Sequence, residues 1–420
     1  MKPGIFKPLK TRSYRSLFGA QVFSDLGNWL DFLTLQIIVV YHWGLDASAI
    51  ASVIIVIGLP WVLIGPFASV FVDRLPKKTI MILSLLFKII FVVGLYYSPN
   101  LYVLLLFVFL KGTVSSLFDP ARQSAIRLTV PEKLLPEAVT LSQLSVNTMK
   151  IIGPALGGGM IALFGIKSPL VFEIIGFTIA IIFLLMMPKI DEEWGRTSQN
   201  NSKKREFWKE LLEGLNHIKQ TKLLYLSIII SSIALFIIFL YDGLLIFVGQ
   251  KLGFNETSYG LLVSSVGLGS VVGALLLGQW TNWKNKPIHF MSSSSVISGL
   301  LIISIGVGSL GIMIFPKFIW IIGAFCLGLL ASGESIPYGY VLQSETPKEM
   351  MGRVSSAAMA IQTFSMLIAP AIGALIAKAI GVSLVMIFAG VITICLGLMV
   401  LLFILKKHAT TSLKAKGLEG

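Results

Sequence analysis

The sequence predicts an all-α integral membrane protein, with twelve transmembrane helices in two pseudo-symmetric six-helix bundles. Three observations lead there. Hydrophobic residues make up 55%, charged residues 13%, and the mean hydropathy is +0.86, whereas soluble domains carry roughly 25% charged residues. Apolar runs of roughly 18–25 residues recur along the chain, each able to cross a ~30 Å hydrocarbon core. The punctuation of one run also returns. Pro154 and Gly157, within Lys150–Gly159, reappear 216 residues later as Pro370 and Gly373, and the loop prolines Pro131 and Pro347 share that offset. Proline and glycine survive at membrane depth where neighbouring helices satisfy the loosened backbone. Two copies at one spacing indicate a duplicated chain with matching helices in each half.

The runs lie near 16–41, 47–72, 79–98, 101–120, 138–164, 169–188, 223–250, 257–280, 288–315, 317–341, 355–378 and 381–405. They divide the chain into an N-terminal bundle (1–188), a polar cytoplasmic linker with an amphipathic helix (189–222), a C-terminal bundle (223–405) and a cytoplasmic tail (406–420). The net charge of +14 is unevenly placed. With the N-terminus inside, cytoplasmic segments hold 27 of the 34 Lys and Arg, outer loops hold only Lys167, Lys251, Lys317 and Lys378, and Lys88, Lys111 and Lys150 fall inside spans. This is the positive-inside bias, and it predicts both termini in the cytoplasm of a plasma or inner membrane. Basic residues gathered at helix ends argue against a nucleic-acid partner. The first span follows a basic segment without a small-residue cleavage site, so a retained helix is expected. Cys326 and Cys395 both fall in spans, and neither a disulfide nor a metal site is suggested.

Span 1 carries the clearest chemistry. Gln21, Ser24, Asp25, Asn28, Asp31 and Gln36 fall within an arc of roughly 140° of a helical wheel, opposite Leu, Ile, Phe and Trp. Each carboxylate would cost at least ~2.5–3.5 kcal/mol facing lipid at the bilayer centre, so the stripe is expected to line a cavity. Asp31, being deeper, is the expected proton-coupling acid. Asp25, some 9 Å away at ~1.5 Å per residue, is expected to attract cationic substrates or pass protons inward.

The loop after span 2 reads Ser69 to Lys78 with Asp73, Arg74, Pro76, Lys77 and Lys78. It resembles the major facilitator signature Gly-x-x-x-Asp-Arg-x-Gly-Arg-Arg, with Ser69 and Pro76 replacing the glycines and lysines replacing the arginines. A worn second copy runs from Gly278 through Asn282 to Lys286. In span 4, Lys111, Ser115, Asp119 and Arg122 share one face, and Lys111 lies about mid-span, where a lone ammonium is costly and is expected to be either partly neutralised or paired with a carboxylate. In span 5, Gln143, Asn147, Lys150 and Pro154 form a second polar wall. Phe118-Asp119-Pro120-Ala121-Arg122, then Pro131-Glu132, then Gly153-Pro154-Ala155-Leu156-Gly157-Gly158 are similar to the third drug–proton antiporter group of that superfamily, which includes macrolide-efflux and enterobactin-exporter types.

The resemblance implies a secondary exporter of lipophilic or amphiphilic small molecules driven by protons. It implies proton or substrate roles for Asp25, Asn28, Asp31, Lys111, Asn147 and Lys150. Gating is implied at Asp73, Arg74, Lys77, Lys78, Arg122, Gly153, Pro154 and Gly157. Glu173, placed near the outer end of span 6 where water is expected to reach it, Asp242 in span 7 and Glu334 in span 10 are further candidates. Within the linker, Phe207, Leu211, Leu215 and Ile218 recur at helical spacing, which predicts an amphipathic helix on the inner membrane surface. A dedicated exporter of one metabolite, such as a siderophore or lysolipid, is the competing transport reading. A receptor or enzyme on the same fold is the rival from another class. No His/Asp/Glu cluster has catalytic or metal spacing, and no Gly-x-x-x-x-Gly-Lys-Ser/Thr segment is present for an ATP-driven pump. No enzyme activity and no cofactor are expected, and the protein is expected to act as a monomer in the lipid bilayer.

Overall fold

The computed structural model describes residues 6–64, 72, 75–188, 213–280, 282–347 and 350–416. The gating candidates Asp73 and Arg74 lie outside the described residues, as do the side chains of Asn147, Lys150 and Pro154. The helices are α1 (Arg12–Ile37), α2 (Ala47–Leu63), α3 (Lys77–Tyr96), α4 (Leu101–Thr129), α5 (Leu135–Phe164), α6 (Ser168–Met186), α7 (Lys222–Asp242), α8 (Leu245–Lys251), α9 (Glu256–Gln279), α10 (Pro287–Ser309), α11 (Lys317–Ser344), α12 (Met351–Ile380) and α13 (Val382–Lys416). Among the described residues, nine stretches are long and apolar enough to cross a membrane, in α3, α4, α6, α7 and α9–α13. The helix α1 is not among them, and its polar stripe supplies the reason. Span 7 is broken in two at Gly243 and Leu244, where the chain turns tightly through a bond from the Leu244 N–H to the Tyr241 carbonyl.

Helix starts follow local chemistry. Asn100 caps α4 by accepting from the Val103 N–H at 3.0 Å. Asp46 caps α2 through Ala49, and the Ser48 hydroxyl, 2.6 Å away, holds its carboxyl below the usual range. The duplication reappears in three dimensions. Gly165 ends α5 at φ 90° and bonds the Ile161 carbonyl; Gly381 ends α12 at φ 86° and bonds the Ala377 carbonyl. Both pairs keep the 216-residue offset, and glycine suits each because a side chain at positive φ is strained.

The chain divides into two compact units, Met1–Asn200 with Asn255–Ser264, and Asn201–Phe254 with Ser265–Gly420. In the first, α1 packs on α5 and α6, and α3 packs on α4 and α6. In the second, α7 packs on α12, and α10 on α11 and α13. A Cβ on Gly157 would stand 2.9 Å from the Leu30 carbonyl oxygen of α1, and one on Gly373 would collide with the Leu240 carbonyl of α7. The repeated glycines therefore serve one purpose twice, letting two helix backbones touch. Gly373→Ala is expected to cost about 1–3 kcal/mol, read as a lower melting temperature in detergent; unchanged melting would contradict the contact.

Most of the predicted amphipathic helix (residues up to 212) lies outside the described residues, but 213–220 is helical. Its Ile218 is 4% exposed and clusters with Leu224, Ile228, Val354, Ala357 and Ala358, with Leu215 packed alongside. The described part of that stripe, Leu215 and Ile218, packs on the second unit's own helices. In the tail, α13 runs on as helix to Lys416.

Candidate functional site

The polar stripe of α1 is buried inside the first unit. Gln21, Asp25 and Asp31 are each at most 5% exposed, and Ser24 is fully covered. The helices packed on α1 supply its partners, in two clusters.

The first cluster is built on Asp25. Arg122 of α4 donates to Asp25 Oδ1 at 3.0 Å, while Gln21 and the Ser145 hydroxyl donate to Oδ2 at 3.0 and 2.9 Å. Gln21 is itself held by α5, donating to the Ser142 carbonyl and accepting from the Ser142 hydroxyl, both at 2.8 Å. Arg122 also pairs with Asp119, 3.2 Å away and one turn earlier on α4. Both Asp25 oxygens are thus occupied by charged or hydroxyl donors. Arg122, expected at a gate, is instead 4% exposed in this core.

The second cluster is centred on Lys111 of α4. Its ammonium pairs with Asp31 Oδ2 at 2.6 Å and with Glu173 Oε1 of α6. Glu173 was expected to meet water near the outer end of span 6, yet it is 0% exposed. It sits on the second turn of α6, on the face that packs against α1 and α3, so neighbouring helices cover it. Asn28, between the two acids on α1, accepts from Lys88 of α3 at 3.2 Å. Lys88 is 0% exposed, and its Nζ stands 4.7 Å from the Phe118 ring centroid and 5.3 Å from that of Phe177. Gln21 was read as part of the polar stripe, whereas Ser142, Ser145 and Lys88 were not singled out as site residues from sequence. The signal for Lys88 was its mid-span position alone.

With every group ionised, the core holds four carboxylates (Asp25, Asp31, Asp119, Glu173) against three cations (Lys88, Lys111, Arg122). It is one negative charge in excess in a region where charge is expensive. A core of this composition can take up one proton and become neutral.

The remaining candidates fall elsewhere. Lys77 bonds the Val72 and Leu75 carbonyls, and Lys78 bonds the Met187 and Leu185 carbonyls at 2.6 and 3.3 Å, a cation on the C-terminal end of α6. Gly153 lies against the Trp29 side chain and Gly157 against Leu30. In the second unit, Glu334 accepts from the Ser295 hydroxyl at 2.8 Å. Asp242 closes α7, and among the described residues no hydrogen bond or ion pair reaches it.

A multi-pass helical membrane protein with a buried, ion-paired core in one half is the class of molecule that these features define. Residues 17–370 match the family model of the Major Facilitator Superfamily, and the chain belongs to that family. It is therefore a transport protein and not an enzyme. Among known proteins it is 24% identical over 360 residues to macrolide efflux protein A of Streptococcus pyogenes, covering 81% of this chain and 83% of that one. It is 27% identical over 398 residues to a putative bacilysin exporter of Bacillus amyloliquefaciens, covering 91% and 92%. The fold is shared with a crystal structure of a POT family transporter, at a TM-score of 0.69 and 16% identity, covering 94% of this chain and 96% of that chain.

Proposed function

We propose that this chain is a secondary active exporter that moves lipophilic or amphiphilic small molecules out of the cell in exchange for protons, by alternating access. The observation that carries the proposal is the trio Asp31–Lys111–Glu173, two carboxylates on one ammonium inside a membrane-spanning bundle. Family membership and the names of the two relatives, an efflux protein and a putative exporter, support the direction of transport.

In this mechanism a proton from outside neutralises one carboxylate of the trio and loosens its hold on Lys111. The neutral core tolerates the inward-facing state, releases the proton inside and takes substrate. One charge moving down 100 mV is worth ~2.3 kcal/mol, about fortyfold in substrate gradient when fully coupled. Asp25 with Arg122 holds α1 to α4 and α5 during the cycle. Asp73 and Arg74 serve as the inner gate, with Lys77 and Lys78 tying the loop to helix ends. The protein acts as a monomer in the bilayer. The test is efflux of a dye and macrolide panel from loaded vesicles, with and without a proton gradient; transport indifferent to the gradient would sink the coupling.

A dedicated exporter of a single metabolite is the second reading, favoured by the putative bacilysin exporter among the relatives. A panel in which one compound alone is exported would select it.

Both termini and the linker are proposed to be cytoplasmic, on the strength of 27 basic residues inside against four outside. In a variant lacking Cys326 and Cys395, an impermeant thiol reagent applied outside is expected to label a cysteine at Asn100 and miss one at Ser202. The reverse pattern would overturn the topology.

A further inference from the structure

Lys88 is the charge that the mechanism above leaves unused. Among the described residues it enters no ion pair; its ammonium has the Asn28 amide oxygen and two phenyl faces for company. An ammonium carries three donors, and aromatic faces hold a cation without neutralising it. The Phe177 ring is shared. Lys88 Nζ stands 5.3 Å from its centroid and Lys111 Nζ 6.0 Å, so both ammoniums lie near the same ring. Phe177 lies one turn beyond Glu173 on α6, which puts the carboxylate beside that ring. The charged groups around Lys88 are Asp25 and Asp31 on α1, Lys111, Asp119 and Arg122 on α4, and Glu173 on α6.

The trio has two carboxylates for one ammonium, and either a proton or a second ammonium can balance it. We propose that Lys88 is a positioning residue for proton release: its ammonium rests on Asn28 and the phenyl faces while the trio holds a proton, and turns to the Glu173 carboxylate when the proton leaves. The lysine stem, four methylenes long, gives the ammonium the freedom to change partner. Lys88 and the proton are then alternative occupants of one carboxylate, so that the excess negative charge left in the core by proton loss does not rest on Glu173. The inference deepens the proton-exchange reading and rests on it.

The experiment follows the infrared carbonyl absorption of protonated carboxyls in the purified full-length protein, titrated from acid to alkaline pH. In the wild type a buried carboxyl is expected to titrate, and the signal to vanish in the Asp31→Asn/Glu173→Gln double variant. Absence of that signal in the wild type refutes the proton-exchange reading itself, and Lys88 falls with it. With the signal present, Lys88→Met removes the competing cation, and its midpoint is expected to rise by about one pH unit. Asn28→Ala keeps the cation but removes its seat, and its midpoint is expected to fall. Lys88→Arg should stay close to the wild type. An unmoved midpoint in Lys88→Met, or a shift of the same sign in Asn28→Ala, overturns the proposal while leaving proton exchange intact. If Lys88→Met does not fold, the downward shift in Asn28→Ala alone decides.

Discussion

Glu173→Gln is expected to abolish proton-driven efflux while downhill substrate exchange survives. The glutamine amide has nearly the shape of the protonated acid and cannot give the proton up. Lys111 keeps Asp31 as its partner, so the bundle is expected to stay folded. The pump then becomes a carrier, and the steady-state gradient drops from about fortyfold per 100 mV to none. Asp31→Asn is expected to do the same, because the two acids compete for one ammonium and only one of them stays charged in the protonated state. Transport against a gradient by both single variants would refute the trio as the coupling site. It would move the search to Asp242 and Glu334 in the second unit. Vesicle efflux measured with and without a pH gradient makes the distinction.

Lys111→Met is expected to give the largest loss of stability. It leaves Asp31 and Glu173 buried beside each other with no cation between them. Breaking a buried pair in this way costs about 3–5 kcal/mol, mostly from the uncompensated charge. The cost should be recovered by adding Asp31→Asn and Glu173→Gln, since the triple variant has neutral groups throughout. Melting in detergent reads both results. Failure of the triple variant to regain stability would mean that Lys111 matters for packing and not for charge. The same substitutions around Arg122 serve as a comparison, because Asp25 keeps Gln21 and Ser145 as donors when the guanidinium is lost.

Much of this was legible in the chain. Hydropathy and the repeat of Pro154 and Gly157 at Pro370 and Gly373 predicted the class and the duplication. The repeated glycines do meet a carbonyl of the partner helix in each unit. Helical periodicity placed Asp25, Asn28 and Asp31 on one face, and the depth of Lys111 left neutralisation and a carboxylate partner as the two alternatives, of which the structure shows the second. Periodicity, however, describes one helix at a time. It says which side is polar and not which neighbour answers it, so the pairing of Arg122 with Asp25 was not anticipated. Depth was misjudged for Glu173 because distance from a span end ignores what packs over that end. Lys88 was seen inside a span and left aside, since α3 shows no polar stripe beyond Ser84 to draw attention to it. A charge count would have found it: every mid-span cation needs a seat, and Lys88 had none assigned.

The way the ion pairs are distributed along the chain has a consequence for synthesis. Asp25 and Asp31 leave the ribosome on the first helix, but their partners arrive later, on α4, and Glu173 arrives last, on α6. From Asp31 to Glu173, elongation at ~5–20 residues per second takes roughly 7–30 s. For the first part of that interval, roughly 4–20 s until α4 supplies Lys111 and Arg122, the insertion machinery has to hold a helix bearing two unmatched acids, each disfavoured in lipid by ~2.5–3.5 kcal/mol at the bilayer centre. The helices of this half are therefore not independent passengers of the translocon. A chain stalled before α4 would carry both acids of α1 without their cations.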